Sequence, residues 1–235
     1  AIELVKNSGI NNFSIDLIYG IPGQTLDSWK HTLSKALEFS PTHISSYELT
    51  SEKNTPLYGL IEKDMIKMPD EELILEMYNC AIDNLASKGY EHYEISNFAL
   101  PRFKCLHNLN YWDSGEYIGA GAGAHSFIRG FRSKNTDDIR RYIKDLNQGT
   151  IPEAEPTEIK RDDAIKEFIF LNLRKTEGIS LAKAKELGLD MPGVCKELIE
   201  DGYLEINGDY LRLSRKGLII SNSIIVRLFE VLGLD

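Results

Sequence analysis

Between Lys104 and Phe127 the sequence reads KCLHNLNYWDSGEYIGAGAGAHSF, which gathers a thiol, two imidazoles and three alternating glycines. Buried ring N–H groups need partners, and Gly-Ala pairs give up packing and backbone entropy, so core filling accounts poorly for the mixture. His107 is followed at four residues by Tyr111 and then by Trp112, a ring-rich set that suits a flat macrocycle as well as a core. An imidazole is an ordinary axial ligand of haem iron, and a histidine that merely ties a loop to the fold is the competing reading. Cys105 and His107 could share one metal, but two ligands do not make a zinc site. The run YIGAGAGAH fits G-x-G-x-x-A only through Gly119, Gly121 and Ala124, and no βαβ unit follows it. It reads better as a strand that lets a flat ligand or another backbone approach closely.

A second set of candidates is acidic. In NFSIDLIYG, alternation puts Ser14, Asp16 and Ile18 on one face and the bulky Ile15, Leu17 and Tyr19 on the other. Asp16 then points into a crevice, where a lone carboxylate is costly without a ligand or cation. Glu48 and Glu94 stand at similar places in the next two strand-like runs, and all three are expected on the concave side of one sheet. Each taken alone could be an ordinary strand-end carboxylate in water.

The elements that must position these groups follow a simple grammar. NFSIDLIYG, the turn IPGQT and the helical LDSWKHTLSKALEF form a strand–loop–helix unit, which recurs as THISSYELT and DEELILEMYNCAIDNLASKG before YEHYEISNF returns as a strand. Strands separated by helices predict parallel right-handed crossovers, hence an α/β sheet or part of a (β/α) barrel. From about Asn135 the pattern becomes helical and ends in YLEINGDYLRLS, a hairpin turning on Asn207-Gly208 before a last amphipathic helix. Residues 1–134 are therefore expected to form an α/β portion and residues 135–235 a helical, winged-helix-like domain, with Asn147 to Thr157 as the linker.

Composition narrows the function classes. The 235 residues carry a net charge of -9, which makes the surface a poor partner for phosphate backbones. A winged-helix regulator of nucleic acid remains an alternative, although Glu177, Glu186, Glu197, Glu200 and Asp201 offset the basic residues of that region. Cys80, Cys105 and Cys195 form no C-x-x-C pair, which fits a reducing cytoplasm. The apolar run from Gly217 carries Arg227 and Glu230, too costly in lipid for a membrane span.

Five blocks in sequence order, SIDLIYGIPGQT, ISSYELTSEKNTPL, GYEHYEISNFA, CLHNLNYW and YIGAGAGAHSF, together resemble the HemW haem-chaperone family. That family is a branch of the oxygen-independent coproporphyrinogen III oxidase-like radical S-adenosylmethionine (SAM) proteins. The resemblance implies the C-terminal portion of a radical SAM (β/α)6 partial TIM barrel, followed by the small winged-helix-like domain. It implies that His107, Asn108, Tyr111 and Trp112 form a haem-binding motif H-N-x-x-Y-W, with His107 on the haem iron. It also places Asp16, Glu48 and His125 at or near positions that contact SAM. The cluster motif C-x-x-x-C-x-x-C is absent, so the chain is expected to be part of a longer protein whose [4Fe-4S] cluster it cannot hold alone. The implied function is to bind haem and deliver it to respiratory haemoproteins, with membrane association through those recipients and a homodimer left open. A coproporphyrinogen III oxidase of porphyrin biosynthesis is the alternative.

Overall fold

The computed structural model describes residues 1–152 and 155–234. They form two compact units, Ala1–Cys105 and the chain from Leu106 onward. The first contains α1 (Ile2–Asn7), β1 (Ser14–Tyr19), α2 (Leu26–Glu38), β2 (His43–Glu48), α3 (Pro56–Glu62), α4 (Glu71–Ser87), β3 (Glu91–Glu94) and β4 (Asn97–Ala99). Its helix starts follow from local chemistry. Thr25 and Ser28 close a reciprocal capping box on α2, and the Asp70 carboxylate accepts from the Leu73 amide at 2.9 Å to start α4. Trp29 of α2 is fully buried, and its indole N–H donates to the Met77 carbonyl of α4 at 2.9 Å, which locks the two helices together.

The sheet has strand order β1-β2-β4-β3. β1 and β2 are parallel, as expected for a crossover through α2, with Ser14 opposite His43 and Asp16 opposite Ser45. The third strand-like run does not form one strand. YEHYEISNF folds as a hairpin, β3 then β4, and β4 inserts antiparallel between β2 and β3, so the sheet is mixed rather than wholly parallel. The reversal occurs at Ile95-Ser96, where the Glu94 carboxylate accepts from the Ser96 amide at 2.9 Å. Ile44, Leu85, Tyr90 and Phe98 form the core of this unit, with Leu17, Leu37, Ile82 and Leu100 packed against them. Leu37 and Leu85 belong to α2 and α4, so one face of the sheet is covered by helices. Fully burying side chains of this size contributes about 1.5–3 kcal/mol each.

The second unit contains α5 (Leu106–Trp112), β5 (His125–Ile128), β6 (Phe131–Lys134), α6 (Ile139–Asn147), β7 (Thr157–Glu158), α7 (Arg161–Arg174), β8 (Ile179–Ser180), α8 (Leu181–Glu186), α9 (Met191–Val194), α10 (Lys196–Glu200), β9 (Leu204–Asn207), β10 (Tyr210–Leu213), α11 (Arg215–Ile219) and α12 (Ser221–Leu232). Ile165, Ile169 and Leu173 recur at four-residue spacing along α7 and are buried, as are Ile224, Ile225 and Leu228 of α12. The β9–β10 hairpin turns on Gly208 and Asp209, one residue later than expected. Gly208 takes φ +58° at the first central position, which a two-residue loop requires there. Residues 106–134, grouped by sequence with the α/β portion, pack with the C-terminal helices instead. β6 pairs with β7, and Arg132 of β6 makes a two-pronged ion pair with Glu167 of α7 at 2.6 and 3.0 Å. Of the expected linker, Glu153 and Ala154 lie outside the described residues. Before them Pro152 is docked, its carbonyl accepting from the Thr136 amide at 2.8 Å. Among the described residues no helix is long and apolar enough to cross a membrane.

Replacing Trp29 by Phe keeps a ring but removes the N–H that joins α2 to α4. The expected loss is about 1–3 kcal/mol, seen as a lower urea midpoint with an unchanged m-value. An unchanged midpoint would show that this bond does not hold the helix pair.

Candidate functional site

Strand register decides where the candidate carboxylates point. Asp16 of β1 pairs with Ser45 of β2, Ser45 with Asn97 of β4, and Asn97 with Glu94 of β3. These four residues thus form one polar row on the face away from α2 and α4. Asp16 is exposed, Ser45 and Asn97 are buried, and Glu94 is 1% exposed. The Asn97 side-chain carbonyl oxygen is buried without a hydrogen-bond partner among the described residues. Glu48 does not join the row. It pairs with Tyr19, on the helix-covered face, where a Cβ at Gly20 would meet both the Glu48 Cγ and Ile74 of α4. Glu48 is itself exposed, and the partial loss of water around its carboxyl raises its pKa.

The same face carries a group that sequence reasoning missed. His43 is 7% exposed; its Nδ1 lies 2.8 Å from the Ser14 Oγ, and its Nε2 lies 2.7 Å from the Tyr93 hydroxyl. The Tyr93 oxygen also accepts from the Cys105 amide at 3.3 Å. Burial lowers the His43 pKa, with the Asp16 carboxylate working against it, so the ring is neutral in the fold. The signal was present in THISSYE, where alternation puts His43 and Ser45 on one face, but only the pairing with β1 shows that Asp16 shares it.

The H-N-x-x-Y-W residues lie on α5. His107 and Tyr111 share a helix face, and their rings meet edge to face at 4.8 Å. Tyr111 meets Tyr117 at 4.5 Å and Tyr117 meets Phe127 of β5 at 6.3 Å, so a ladder of rings runs from His107 to the second sheet. His107 is exposed and Asn108 half-buried. Leu106 and Ile118 are 79% and 80% exposed. Trp112 is turned elsewhere, with the Arg174 guanidinium of α7 over its ring at 5.0 Å. Asp113, the next residue, forms an ion pair with Lys175 at 2.5 Å. Neither Arg174 nor Lys175 was visible as a partner in sequence, because 62 residues separate Lys175 from Asp113.

The alternating glycines are a loop, not a strand. Gly121 and Gly123 take φ +114° and +72°, conformations that alanine adopts only with strain, and β5 begins only at His125. At Gly119 an added Cβ would lie 2.2 Å from the His125 carbonyl oxygen, so it is backbone that approaches there. His125 itself is exposed, at the start of β5 in the second unit, whereas Asp16 and Glu48 belong to the first. The cysteines are free thiols. Burial, with Asp190 adding, pushes Cys195 up to about 12, and burial raises Cys80. Among the described residues no group of three His, Cys, Asp or Glu side chains could hold a metal. His107 and His125 are both exposed imidazoles.

A pH test follows from His43. Its folded pKa lies below the unfolded value of about 6.5, so its contribution is complete above that value and lost as pH falls through the folded pKa. Ser14 and Asp16 face the ring from β1 and Tyr93 from β3. Between pH 7.5 and 5, unfolding free energy should fall more steeply in the unsubstituted chain than in His43→Gln, by at most about 1.4 kcal/mol per pH unit. Parallel pH profiles would contradict a buried neutral imidazole.

Comparison with known proteins bears on these placements. Residues 159–220 match the HemN C-terminal domain family. The chain is 34% identical over 229 residues to the heme chaperone HemW of Bacillus subtilis (strain 168), covering 95% of this chain and 60% of that protein. It is 37% identical over 190 residues to the heme chaperone HemW of Lactococcus lactis, covering 78% and 48% respectively. With the heme chaperone HemW of Escherichia coli (strain K12) the identity is 31% over 238 residues, covering 96% and 60%. The chain thus spans 60% or less of the length of each of these relatives. Among solved structures, the coproporphyrinogen III oxidase HemN of Escherichia coli, a radical SAM enzyme, matches with a TM-score of 0.73 at 19% identity, over 97% of this chain and 57% of that one. Identity that low speaks for the fold alone, and the fold is the expected one: the C-terminal portion of a radical SAM partial barrel followed by a winged-helix-like domain. Relatives of one name thus match nearly the whole length of this chain, which is similar to part of the heme chaperone HemW of several bacteria.

Proposed function

We propose that the protein to which this chain belongs is a cytoplasmic haem chaperone, which binds haem at the α5 segment and passes it to respiratory haemoproteins. One observation carries the reading: His107 is exposed on α5, with the exposed apolar side chains of Leu106 and Ile118 in the same stretch of chain. A porphyrin covering those side chains removes apolar surface from water while its iron accepts an imidazole nitrogen. Tyr111 supports the ring by its edge contact, Asn108 can orient or hydrogen-bond the ligand, and Trp112 shapes the segment from behind. Relatives named heme chaperones at 30–37% identity favour this reading over an oxidase, since the oxidase likeness is one of fold.

In the full-length protein, Asp16, Glu48 and His125 are our candidates for contact with SAM. Asp16 has the clearest case, because it stands exposed at the end of a row of polar side chains on the sheet face away from α2 and α4. The C-x-x-x-C-x-x-C motif that would hold an iron–sulfur cluster does not occur in this sequence. We retain 1–134 and 135–235 as functional divisions, the first ending after β6 and the second holding the HemN C-terminal match.

Titration of the chain with hemin, followed in the Soret region, tests the reading. The unsubstituted chain should give a saturable band, and His107→Ala, checked for fold by circular dichroism, should bind at least about tenfold more weakly with a displaced Soret maximum. An unchanged maximum and affinity in His107→Ala would remove His107 as the ligand and make His125 the next candidate.

A further inference from the structure

We infer that Arg174 and Lys175, at the C-terminal end of α7, are positioning residues for haem capture by α5; the inference rests on the haem reading above. The seven residues of α5 include no buried side chain, so the helix draws little orientation from a core of its own. Two contacts at its C-terminal end supply that orientation. The Arg174 guanidinium is stacked between rings, 5.0 Å from the Trp112 centroid and 5.6 Å from that of Phe170. The Lys175 ammonium, on a side chain only 10% exposed, reaches the Asp113 carboxylate at 2.5 Å. Breaking the pair would leave a mostly buried lysine side chain without its anion, while the Asp113 carboxylate, 53% exposed, could turn to water.

The geometry of a helix turns these contacts into a direction for His107. Trp112 follows His107 by five residues, which rotates it by about 140° around the axis. Holding Trp112 on α7 therefore turns His107 away from α7, and the ion pair one residue later stops α5 from rolling. Arg174 and Lys175 are occupied in this work, so they act on haem through α5 and not through its carboxylates. α7 is a suitable anchor, because Ile165, Ile169 and Leu173 fix it in the core.

The test uses Lys175→Met, which keeps most of the stem, with Arg174→Gln as an independent variant and Lys175→Arg as the conservative one. Amide hydrogen exchange is measured without haem, and hemin and its dimethyl ester are titrated with the Soret maximum as readout. In Lys175→Met and Arg174→Gln, residues 106–113 should exchange at least about tenfold faster while α7 is unchanged. Both variants should bind hemin and the ester about tenfold more weakly with a displaced maximum, and Lys175→Arg should restore both. Unchanged exchange at 106–113, or faster exchange with hemin binding intact, overturns the inference. A loss seen with hemin but not with the ester also overturns it, because the cations would then bind the propionates directly. An unsubstituted chain with no Soret band defeats the haem reading itself and the positioning role with it, whatever the exchange shows.

Discussion

The α5 helix is too short and too exposed to orient itself, and that constraint shapes the region around it. A helix of seven residues gains little from its own hydrogen bonds, and this one adds no buried side chain. Its order is borrowed. At one end Trp112 and Asp113 lean on α7, and along its exposed face His107 and Tyr111 begin the ring ladder that ends at Phe127 of β5. The β5–β6 hairpin is in turn fastened to α7 by the Arg132–Glu167 pair, whose hydrogen bonds raise the guanidinium pKa further. Both routes converge on α7, whose Ile165, Ile169 and Leu173 are buried. The result is a small spur on a rigid platform, with its imidazole facing water.

The first unit solves a different problem, that of carrying polar groups on a sheet. Both long helices cover the face of Ile44 and Phe98, which leaves the other face without their apolar side chains. Polar side chains there must satisfy one another, and His43 with Ser14 and Tyr93 does so at ordinary hydrogen-bond lengths. The Asn97 side-chain carbonyl oxygen, in the same row as Asp16, is buried with no hydrogen-bond partner among the described residues. A buried acceptor left unpaired costs about 1–3 kcal/mol.

What the sequence made legible was local. Alternation within NFSIDLIYG put Asp16 on the face away from α2 and α4, where the structure has it, and the quoted blocks pointed to the relatives named HemW that the chain is similar to. Register was not legible. Alternation within THISSYELT says which residues share a face but not which face meets β1, so Glu48 was grouped with Asp16 although pairing with Tyr19 sets it on the opposite side. The β3–β4 reversal was hidden because YEHYEISNF contains neither glycine nor proline to mark it. The Gly119–Gly123 run misled in the other sense: its spacing suggests a strand, but positive φ at Gly121 and Gly123 makes it a loop. The contacts that orient α5 join residues about sixty positions apart, and no local pattern carries that information.

In the proposed haem site an imidazole on α5, held outward by α7, takes the iron of haem. The most direct measurement is a crystal structure of the haem-bound protein with the iron located by its anomalous scattering. The account predicts an iron peak within bonding distance of a His107 ring nitrogen, with Trp112 still under Arg174 and Asp113 still on Lys175. Iron on His125 or on the Cys105 sulfur, or α5 swung free of α7, would contradict it.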